Sequence, residues 1–432
     1  MQEERVDAIV VGAGPAGIAA ALTLARAGLE TVVIERGAYP GAKNVMGGIL
    51  YRQPTEELVP EFTQHAPLER AIIEQRYMLL TDDSAFGGSY RTQQFAEPPH
   101  NAFSVMRADF DQWFAQQAEE AGAFVIPGMT VIDLIWVDGK IDGVLTGDEE
   151  GDLRANVVVI ADGANSLLAQ RAGLRREWKP KEQALVAKEL IRLSEQTIDD
   201  RFNVSTGLGT AMEIFGKSTA GLLGYGFIYT NRDTLSIGTG ALLSDLIETG
   251  HNVNDMLNNF KRHPAIAPMI AGGETVEYSA HLIPEGGWNA MPRLYTDGAV
   301  LVGDAAGLLN PLNREGSNFA MISGKLAAEA ILEAKSQDDY SAVALSRYRE
   351  LLEQSFVLKD LYKIRHMTDF AHARPHLLND IPEALSKAAR EYLTVDNLPL
   401  SHKQKQITKL LRNGIPLRQS LNDAIGLVRA MR

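Results

Sequence analysis

Residues 6–36 read VDAIVVGAGPAGIAAALTLARAGLETVVIER. The first apolar run, residues 8–11, breaks into the glycine turn GAGPAG at residues 12–17, and the Ala/Leu-rich segment that follows predicts a helix. A second apolar run, residues 31–34, ends at Glu35. Strand, glycine turn, helix, strand and acid in this order form the βαβ dinucleotide-binding fingerprint.

Each glycine of this turn has a physical role. Gly12 makes the tight turn, Gly14 lets a pyrophosphate approach the backbone, and Gly17 lets the helix pack closely on the strand. The free N–H groups and positive end of the helix favour phosphate, and Glu35 can accept hydrogen bonds from a ribose diol. The predicted nucleotide-binding residues are Gly12, Ala13, Gly14, Pro15, Ala16, Gly17 and Glu35.

The composition limits the classes of protein to which this chain can belong. A chain of 432 residues is long enough for two or three domains with a substantial core. It has no cysteine, which excludes disulfides, thiolate-ligated clusters and a thiol tether to a flavin. Its formal net charge of −13 disfavours nucleic-acid binding. No apolar run reaches the ~18 residues of a membrane-spanning helix, and the first strand leaves no room for a signal peptide, so we expect a cytoplasmic protein.

Two more buried strands end in small turns far along the chain. One apolar strand leads to Asp162-Gly163, and another leads to Gly303-Asp304. Open α/β sheets bind ligands at the carboxyl ends of their strands, so both turns are candidate ligand contacts. Taken alone, an Asp-Gly pair is only a turn.

Further candidate contacts lie where helices begin. Residues 103–106 predict a short strand that delivers Arg107 to an amphipathic helix, where its guanidinium can reach a phosphate or a ribityl chain. A long helix opens near Gly316-Ser317-Asn318, and the partial positive charge at its N-terminus favours an electron-rich ring. Arg314 lies beside this terminus and could add to that effect. For both arginines, a solvated side chain is the alternative.

The loop after Glu35, residues 36–48, is too rich in glycine to be a packed element. Its place directly after the ribose-binding acid predicts that it runs under the rest of the same ligand, with Arg36 at its start. The pair Gly47-Gly48 at its end would let the backbone pass close to a flat ring. An ordinary surface loop is the alternative.

The spread of candidate contacts indicates the kind of ligand. Only one GxGxxG is present in the chain, so there is no second unit for a nicotinamide nucleotide. The candidates lie near residues 12, 35, 107, 162 and 304, which suits a long ligand such as FAD. Its adenine and pyrophosphate would lie at the first motif, and its ribityl chain and isoalloxazine at the later strand ends. NAD alone would leave the Gly303-Asp304 turn without a role.

The middle of the chain has a different pattern of apolar and polar residues. From about residue 182 to 280, alternating segments replace the βαβ rhythm, and residues 226–240 predict an antiparallel hairpin. Residues 125–136 and 140–146 predict strands of a small sheet laid against the first. We predict an α/β protein, with a Rossmann-like FAD-binding domain, an inserted antiparallel-sheet substrate domain and a helical C-terminal region. The predicted limits are 1–180 and 285–345 for the FAD-binding domain, 181–284 for the substrate domain and 346–432 for the helical region, with 51–100 partly in the substrate domain.

The chain resembles the glutathione-reductase-2 group of flavoproteins, with its N-terminal GxGxxG, an arginine before the first long helix, a DG pair and a late GD pair. Within that group it is similar to the electron-transfer-flavoprotein:quinone oxidoreductases, and most closely to their FixC branch. The similarity runs essentially end to end. The stretches that carry it are AKNVMGG (42–48), RADFDQWFAQQAEEAGA (107–123), GFIYTNRDTLSIG (226–238), AHLIPEGG (280–287) and GDAAGLLNPLNREGSNFAMISGKLAAEAI (303–331).

The resemblance implies a fold, a cofactor and an activity. The cofactor is non-covalent FAD, which takes electrons singly from a partner and passes two to a quinone held by the inserted sheet domain. The helix that opens at Gly316 would be directed at the flavin ring. The implied FAD contacts are Gly12, Gly14, Gly17, Glu35, Arg107, Gly303 and Asp304.

One departure from the family pattern is informative. The larger quinone oxidoreductases carry a cysteine-ligated [4Fe–4S] cluster in a C-terminal domain, and this chain has no cysteine to hold one. FixC-type proteins share that lack and are paired with a separate ferredoxin-like, FixX-type iron–sulfur subunit. The resemblance therefore implies a complex with the α and β subunits of an NADH-oxidising electron-transfer flavoprotein. In that family the pair bifurcates electrons, one to a low-potential ferredoxin or flavodoxin, the other through this type of subunit to membrane quinone.

The last stretch of the chain, residues 401–432, is basic. It carries seven Lys or Arg against one acid, Asp423, a local charge of +6, and Leu, Ile and Val residues interleave with the cations. Near an anionic leaflet each cation contributes ~1 kcal/mol. Peripheral contact with the cytoplasmic face of a membrane is therefore one interpretation. Docking of the ferredoxin-like subunit and a merely solvated helix are the others.

Three other functions stay open from the sequence. A prenyl-lipid (geranylgeranyl) reductase would share the fold, but such reductases typically show a cysteine near the flavin. An aromatic hydroxylase usually has histidine after the GD pair, where this chain has Gly307. A non-catalytic FAD-containing assembly subunit is the third. Flavin reduction by a partner, followed by rapid reoxidation by quinone, would exclude the last of these.

Overall fold

The structure is a computed structural model that describes residues 5–43, 47–147, 151–313 and 315–431. The chain divides into two compact units. The first comprises Met1–Glu69, His100–Gln183 and Leu282–Tyr362, and the second comprises Arg70–Pro99, Ala184–His281 and Lys363–Arg432. The functional assignment of domains drawn from the sequence stays a prediction.

The strands of the described residues are β1 Arg5–Val11, β2 Thr31–Glu35, β3 Gly47–Tyr51, β4 Leu68–Leu80, β5 Ala85–Arg91, β6 Ala102–Met106, β7 Phe124–Pro127, β8 Val131–Val137, β9 Lys140–Thr146, β10 Asp152–Ile160, β11 Gln183–Arg192, β12 Leu208–Gly216, β13 Gly224–Thr230, β14 Thr234–Leu242, β15 Glu274–Pro284, β16 Tyr295–Thr296 and β17 Ala299–Leu301.

The helices are α1 Pro15–Arg26, α2 Arg52–Leu58, α3 Gln93–Ala96, α4 Arg107–Glu120, α5 Leu167–Arg171, α6 Glu195–Phe202, α7 Leu243–Thr249, α8 Val253–Arg262, α9 Ala267–Ile270, α10 Ser317–Ser336, α11 Ala342–Leu345, α12 Arg347–Gln354, α13 Phe356–Lys363, α14 Met367–His372, α15 Asp380–Leu393, α16 Leu400–Gly414 and α17 Leu417–Ala430. Short 3₁₀ turns lie at Phe62–Gln64, Pro180–Glu182, Lys217–Thr219, Gly287–Ala290, Gly303–Ala306 and Pro375–Leu377.

The sheet of the first unit has a parallel core in the order β17-β10-β1-β2-β7. Its central strands are fully buried, as shown by Ile9 and Val158, which pair across β1 and β10 and have no exposed surface. Burial on both faces explains why these strands are continuous apolar runs. Because the strands are parallel, the ends of β1, β2, β10 and β17 lie at one edge of the sheet.

The small separate sheet predicted for residues 125–136 and 140–146 is wrong. β7 pairs in parallel with β2, and β9 pairs antiparallel with both β8 and β10, so all these strands extend the first sheet. The apolar alternation of a strand does not specify its neighbour, and here the long β10 offers a free edge at its amino end. The α/β fold with a Rossmann-like sheet and a helical C-terminal region is confirmed. The second sheet is mixed rather than wholly antiparallel, because β12 pairs in parallel with β4.

The sheet of the second unit runs β15-β11-β14-β13-β12-β4, with β5 also paired to β4. The predicted hairpin at 226–240 is confirmed, because β13 and β14 pair antiparallel. Helices α6 and α8 cover this sheet through Phe202 and Phe260, both almost fully buried. Residues 70–99, part of the 51–100 segment that the sequence assigned partly to the substrate domain, supply most of β4, all of β5 and the short α3.

The C-terminal residues fold as the helices α14 to α17. Pro399 and Pro416 stand directly before α16 and α17, and Pro375 begins a 3₁₀ turn. Pro382 lies instead in the first turn of α15, where a proline costs no helical hydrogen bond. Within the described part of the chain, no helix combines the length and the apolar character needed to cross a bilayer.

Candidate functional site

The glycine turn between β1 and α1 has the close approaches that require glycine. Gly12 has φ +106°, and a Cβ there would stand 2.4 Å from the Ala161 carbonyl oxygen. A Cβ on Gly17 would stand 2.0 Å from the Gly12 carbonyl oxygen, so helix and turn touch at this glycine. A Cβ on Gly14, by contrast, would meet no described atom within 4 Å. The backbone at Gly14 therefore faces open space at the N-terminus of α1, where a phosphate is favoured.

Glu35 is bound to the same turn. Its carboxylate accepts hydrogen bonds from the Ala13 backbone N–H at 2.9 Å and from the Gly37 backbone N–H at 2.5 Å. These two bonds fix the acid beside the turn and leave lone pairs on both oxygens for a further donor. The next residue, Arg36, is exposed. That Glu35 and Arg36 contact a nucleotide stays a prediction.

The end of the glycine-rich loop is not irregular as the sequence suggested. Gly47 and Gly48 begin strand β3, where they pair with Met106 and Val105 of β6. The expectation of an unpacked loop is therefore wrong for these two glycines, because an antiparallel partner satisfies their backbone groups. A Cβ on Gly48 would still meet nothing within 4 Å, so the space beside it is open.

The two later strand ends lie directly against the first motif. The Ala161 N–H donates to the Val11 carbonyl at 2.9 Å, which ties β10 to β1 at their carboxyl ends. A Cβ on Gly303, which has φ +60°, would stand 2.8 Å from the Cβ of Ala16 in α1. The Gly303 N–H donates to the Ser323 hydroxyl at 2.9 Å. Residues almost 300 positions apart are thus brought to one edge of the sheet.

Arg107 begins α4 directly after β6, as predicted. Its guanidinium forms a two-pronged ion pair with Asp111, with Nε to Oδ1 at 2.9 Å and Nη2 to Oδ2 at 2.8 Å. Burial alone would lower the pKa of Arg107, but Asp111 outweighs burial and the net pKa is raised, with Asp304 adding to the effect. Arg107 therefore stays cationic, and Asp111 holds its planar face in one orientation.

The charge of this arginine acts on Asp304, and Asp304 in turn acts on Glu285. Burial raises the pKa of Asp304, and the charge on Arg107 partly opposes that rise. Burial and the nearby Asp304 together raise the pKa of Glu285 to about 8. Glu285 is therefore mainly neutral at pH 7 and can donate a hydrogen bond. Both residues keep some exposed surface.

The turn after β10 contains an unsatisfied acid. Oδ2 of Asp162 accepts weakly from the Leu168 N–H at 3.4 Å, whereas the buried Oδ1 has no hydrogen-bond partner among the described residues. Burial raises the pKa of Asp162, and the Ser166 hydroxyl opposes that rise. Gly163 follows with φ +80°. An unpaired buried carboxylate oxygen is costly, which makes Asp162 Oδ1 a candidate acceptor for a hydrogen-bond donor of a ligand.

The start of α10 has a second unsatisfied group. Gly316 precedes the helix, Ser317 is its first residue, and Asn318 is 1% exposed. Neither the oxygen nor the nitrogen of the Asn318 amide has a well-formed hydrogen-bond partner within the described ranges. Such a buried amide offers a donor and an acceptor to a ligand at the positive end of the helix. The predicted role of Arg314 lies outside the described residues.

These residues fit an extended dinucleotide. The open backbone at Gly14, the free oxygen of Asp162 and the free amide of Asn318 are polar features that the described chain does not satisfy. FAD would supply phosphate at the first and polar ring and ribityl groups at the others. The residues that would hold it are the glycine turn with Glu35, the Arg107 guanidinium, and the turns at 162–163 and 303–304. That each of them contacts FAD stays a prediction.

Several residues of this region were missed by sequence reasoning. Asp111 orients Arg107, Ser323 binds the Gly303 backbone, and Glu285 lies near Asp304. Glu285 stands inside the quoted stretch AHLIPEGG, so a signal for it was present. Arg175 donates hydrogen bonds to the Ala164 and Ala305 carbonyls. No local sequence pattern indicates these contacts, because they form only when the chain folds.

Comparisons with known proteins show which family the chain belongs to. A model described as FAD dependent oxidoreductase matches residues 7–211, and one described as ETF-QO/FixC family C-terminal domain matches residues 367–432. The fold and the site thus define an FAD-dependent oxidoreductase. The chain is 45% identical over 435 residues to Protein FixC of Bradyrhizobium diazoefficiens, covering all of both chains. It is 44% identical over 407 residues to Protein FixC of Azotobacter vinelandii, covering 94% of each. The chain belongs to the ETF-QO/FixC family.

A solved structure shares the fold at much lower identity. A geranylgeranyl bacteriochlorophyll reductase-like protein from Thermoplasma acidophilum aligns with a TM-score of 0.74 and 20% identity, covering 97% of this chain and 99% of that one. At this identity the likeness concerns the fold alone.

Proposed function

We propose that this chain is the FAD-dependent subunit that passes electrons from an electron-transfer flavoprotein to a membrane quinone, within an NADH-oxidising, electron-bifurcating complex. The observation that carries the proposal is the full-length relationship to FixC proteins, together with an FAD-type site at the shared edge of the sheet. The partners in the proposal are the flavoprotein α and β subunits and a ferredoxin-like iron–sulfur subunit. The complex would work at the cytoplasmic face of the membrane.

The chemistry divides between cofactor and protein. When bound, FAD supplies both one-electron and two-electron transfer. The chain's own residues bind, orient and tune: the glycine turn and the α1 N-terminus take phosphate, and Arg107, held by Asp111, presents a fixed cation. Glu285, mainly neutral at pH 7, can donate a hydrogen bond or release a proton near Asp304.

The absence of cysteine supports a separate iron–sulfur subunit. None of the 432 residues is cysteine, so the usual thiolate ligands of a cluster are missing from the chain. In the described residues, no group of three or more His, Asp or Glu side chains is arranged to hold a metal ion. An electron path through a cluster therefore requires a neighbouring polypeptide.

The C-terminal helices support contact with a membrane or a partner. Leu417, Leu421, Ile425 and Val428 follow one another along α17 at helical spacing, and each is more than half exposed. The only acid of residues 401–432, Asp423, is engaged by Arg374 at 2.9 Å and by His376 at 2.7 Å. Its charge is thereby neutralised on the packed side of α17. We name the four exposed residues the α17 stripe; exposed cations flank it, among them Arg418 and Arg429.

The decisive experiment is co-purification followed by a redox assay. A tagged chain isolated from its own cells is expected to carry flavin, to bring both flavoprotein subunits and an iron–sulfur protein, and to show their visible bands. Reduction of its flavin by NADH through the flavoprotein, followed by reoxidation with a quinone analogue, supports the proposal. A flavin that quinone never reoxidises favours an assembly subunit instead.

The prenyl reductase alternative is tested in the same preparation. Saturation of a geranylgeranyl substrate by the reduced flavin would support it and count against quinone reduction. The missing cysteine argues against it, because such reductases typically place one near the flavin. The fold likeness to a geranylgeranyl reductase-like structure adds nothing on activity at 20% identity.

A further inference from the structure

One buried cation of the first unit contacts backbone carbonyls where a carboxylate would be usual. Arg175 is 6% exposed. Its Nη1 donates to the Ala164 carbonyl at 3.0 Å and to the Ala305 carbonyl at 3.2 Å, and its Nη2 donates to the Ser166 carbonyl at 3.2 Å. A buried guanidinium is retained only where such contacts offset the cost of removing it from water.

These carbonyls belong to two different turns. Ala164 and Ser166 lie in residues 162–166, here the Asp-Gly turn, and Ala305 lies in residues 303–306, here the Gly-Asp turn. They follow the neighbouring parallel strands β10 and β17. Both turns hold residues predicted to contact FAD. One side chain, from a third segment, therefore joins the two turns directly.

An aromatic ring, that of Trp178, also packs against the Arg175 guanidinium. The Arg175 guanidinium carbon lies 4.5 Å from the centre of the Trp178 ring, and the Trp178 indole N–H donates to the Ala164 carbonyl at 2.9 Å. A Cβ on Gly307 would stand 3.1 Å from this indole, so the ring has little room to move. A planar group that both stacks and donates in several directions is a property of arginine, and lysine cannot reproduce it.

The charge on Arg175 also acts on the Asp-Gly turn. Burial lowers the pKa of Arg175, and the charge on Asp162 opposes that change. The reverse effect favours the ionised form of Asp162 against the burial that raises its pKa. The Arg175 Nε and the Asp162 Oδ1 are both without a hydrogen-bond partner in the described structure. The cation thus lies beside an acid that is itself open to a ligand.

We propose that Arg175 is a positioning residue of the FAD site, because its guanidinium holds the Asp-Gly turn and the Gly-Asp turn in one fixed relation. Arg175 would then set the position of the groups that those turns present to the ribityl chain and the flavin ring. This inference rests on the proposed binding of FAD. It assigns a role to a residue outside the dinucleotide fingerprint.

The test compares three variants of the full-length flavoprotein. Arg175→Met removes the charge and the hydrogen bonds but keeps the bulk, and Arg175→Lys keeps the charge alone. Arg171→Met is the matched control, because Arg171 lies nearby in the chain, is 45% exposed at its side chain and forms a long ion pair of 3.6 Å with Asp133. We expect Arg175→Met to raise the FAD dissociation constant about tenfold or more, which is ~1.4 kcal/mol per tenfold step. Arg175→Lys should fall between it and the control.

Measurements at saturating FAD separate positioning from general stability. The visible spectrum and the midpoint potential of bound FAD should shift in Arg175→Met and stay unchanged in Arg171→Met. The effect of Asp162→Asn should be smaller in the Arg175→Met background than alone, because coupled residues are not additive. If Arg175→Met does not fold, Arg175→Lys decides by the same measurements.

The outcomes distinguish the two proposals. Wild-type affinity, spectrum and potential in both Arg175 variants overturn the positioning role and leave the proposed function intact. A shift in FAD affinity and potential that the lysine variant partly restores supports it. A wild-type protein that binds no FAD overturns the proposed function, and this inference falls with it.

Discussion

Gly324 of α10 lies directly against Ala16 of α1: a Cβ on Gly324 would stand 2.0 Å from the Ala16 carbonyl oxygen. Ala16 belongs to the glycine turn, and a Cβ on Gly303 would stand 2.8 Å from the Ala16 Cβ. The first nucleotide-binding motif, the late Gly-Asp turn and the long helix α10 therefore meet at one residue. Their spacing depends on the missing side chain at position 324.

Gly324→Ala is expected to force α1 and α10 apart. The added methyl group meets backbone, which cannot rotate away, so we expect the free energy of unfolding to fall by ~1–3 kcal/mol, as overpacked cores do. Chemical denaturation measures this change. Gly88→Ala is the control, because a Cβ on Gly88 meets nothing within 4 Å. Equal stability of the two variants would contradict the close helix contact.

Gly14 and Gly17 are expected to respond differently to the same substitution. Gly14→Ala points its methyl group into open space, so the apoprotein should lose no more than ~1 kcal/mol, the cost of a poorer N-cap residue. If phosphate occupies that space, the FAD dissociation constant should rise at least about tenfold, or ~1.4 kcal/mol. Gly17→Ala places its methyl group 2.0 Å from a carbonyl oxygen and should destabilise the apoprotein itself.

Thermal unfolding of the apoproteins and titration with FAD separate these effects. Unchanged FAD affinity in Gly14→Ala would show that no phosphate approaches this backbone.

Glu285 is expected to make stability depend on pH. Its folded-state pKa of about 8 lies above the ordinary value of 4.5. Between pH 4.5 and about 8 the folded protein holds a proton that the unfolded chain releases, so stability falls as pH rises through this window. The slope from this one group approaches ~1.4 kcal/mol per pH unit at most.

Residue 285 cannot ionise in Glu285→Gln, so the stability of this variant should fall less steeply as the pH rises. Each protein is compared with its own stability at pH 5, and above that pH the variant should have lost less stability than the wild type. Denaturation curves from pH 5 to 9 measure this difference. Glu177→Gln, which changes an exposed carboxyl, is the control and should parallel the wild type. Parallel curves for all three proteins would show that Glu285 is ionised throughout.

We expect the α17 stripe to contact either an anionic membrane or the ferredoxin-like subunit. Leu421→Ser with Ile425→Ser removes two exposed apolar side chains, each worth ~1.5–3 kcal/mol if it is buried on binding. Association with anionic vesicles, or with the ferredoxin-like subunit, should weaken at least about tenfold while the melting temperature stays the same. Flotation of vesicles and pull-down of the subunit measure the two cases.

Val343→Ser is the control for this surface, because Val343 is 81% exposed on α11 and lies outside the C-terminal helices. Binding of both partners unchanged in the double variant, and in a chain that ends at residue 400, would leave the stripe without a role in binding.

Short-range sequence patterns were enough to predict those residues of the candidate site that lie close to a recognisable motif. The glycine turn at residues 12–17, the acid at Glu35 and the arginine after β6 were all predicted, because each depends on residues close together in the chain. The α/β class followed from apolar runs that alternate with a helical pattern. The absence of cysteine, read from composition alone, excluded a thiolate-ligated cluster in this chain.

Only the tertiary structure decided which distant residues meet. The strands at 125–136 and 140–146 have the alternation of a separate sheet, yet they extend the first one, because a strand pattern does not name its partner. No local pattern predicted the hydrogen bond from Arg175 to the Ala305 carbonyl or the close approach of Gly324 to Ala16, because each joins segments far apart in the chain. Glu285 stands in a stretch that the sequence singled out, but its raised pKa depends on burial and on Asp304. The spacing of residues within one turn fixes local geometry, whereas a pKa or a close helix approach depends on every chain segment that folding brings together.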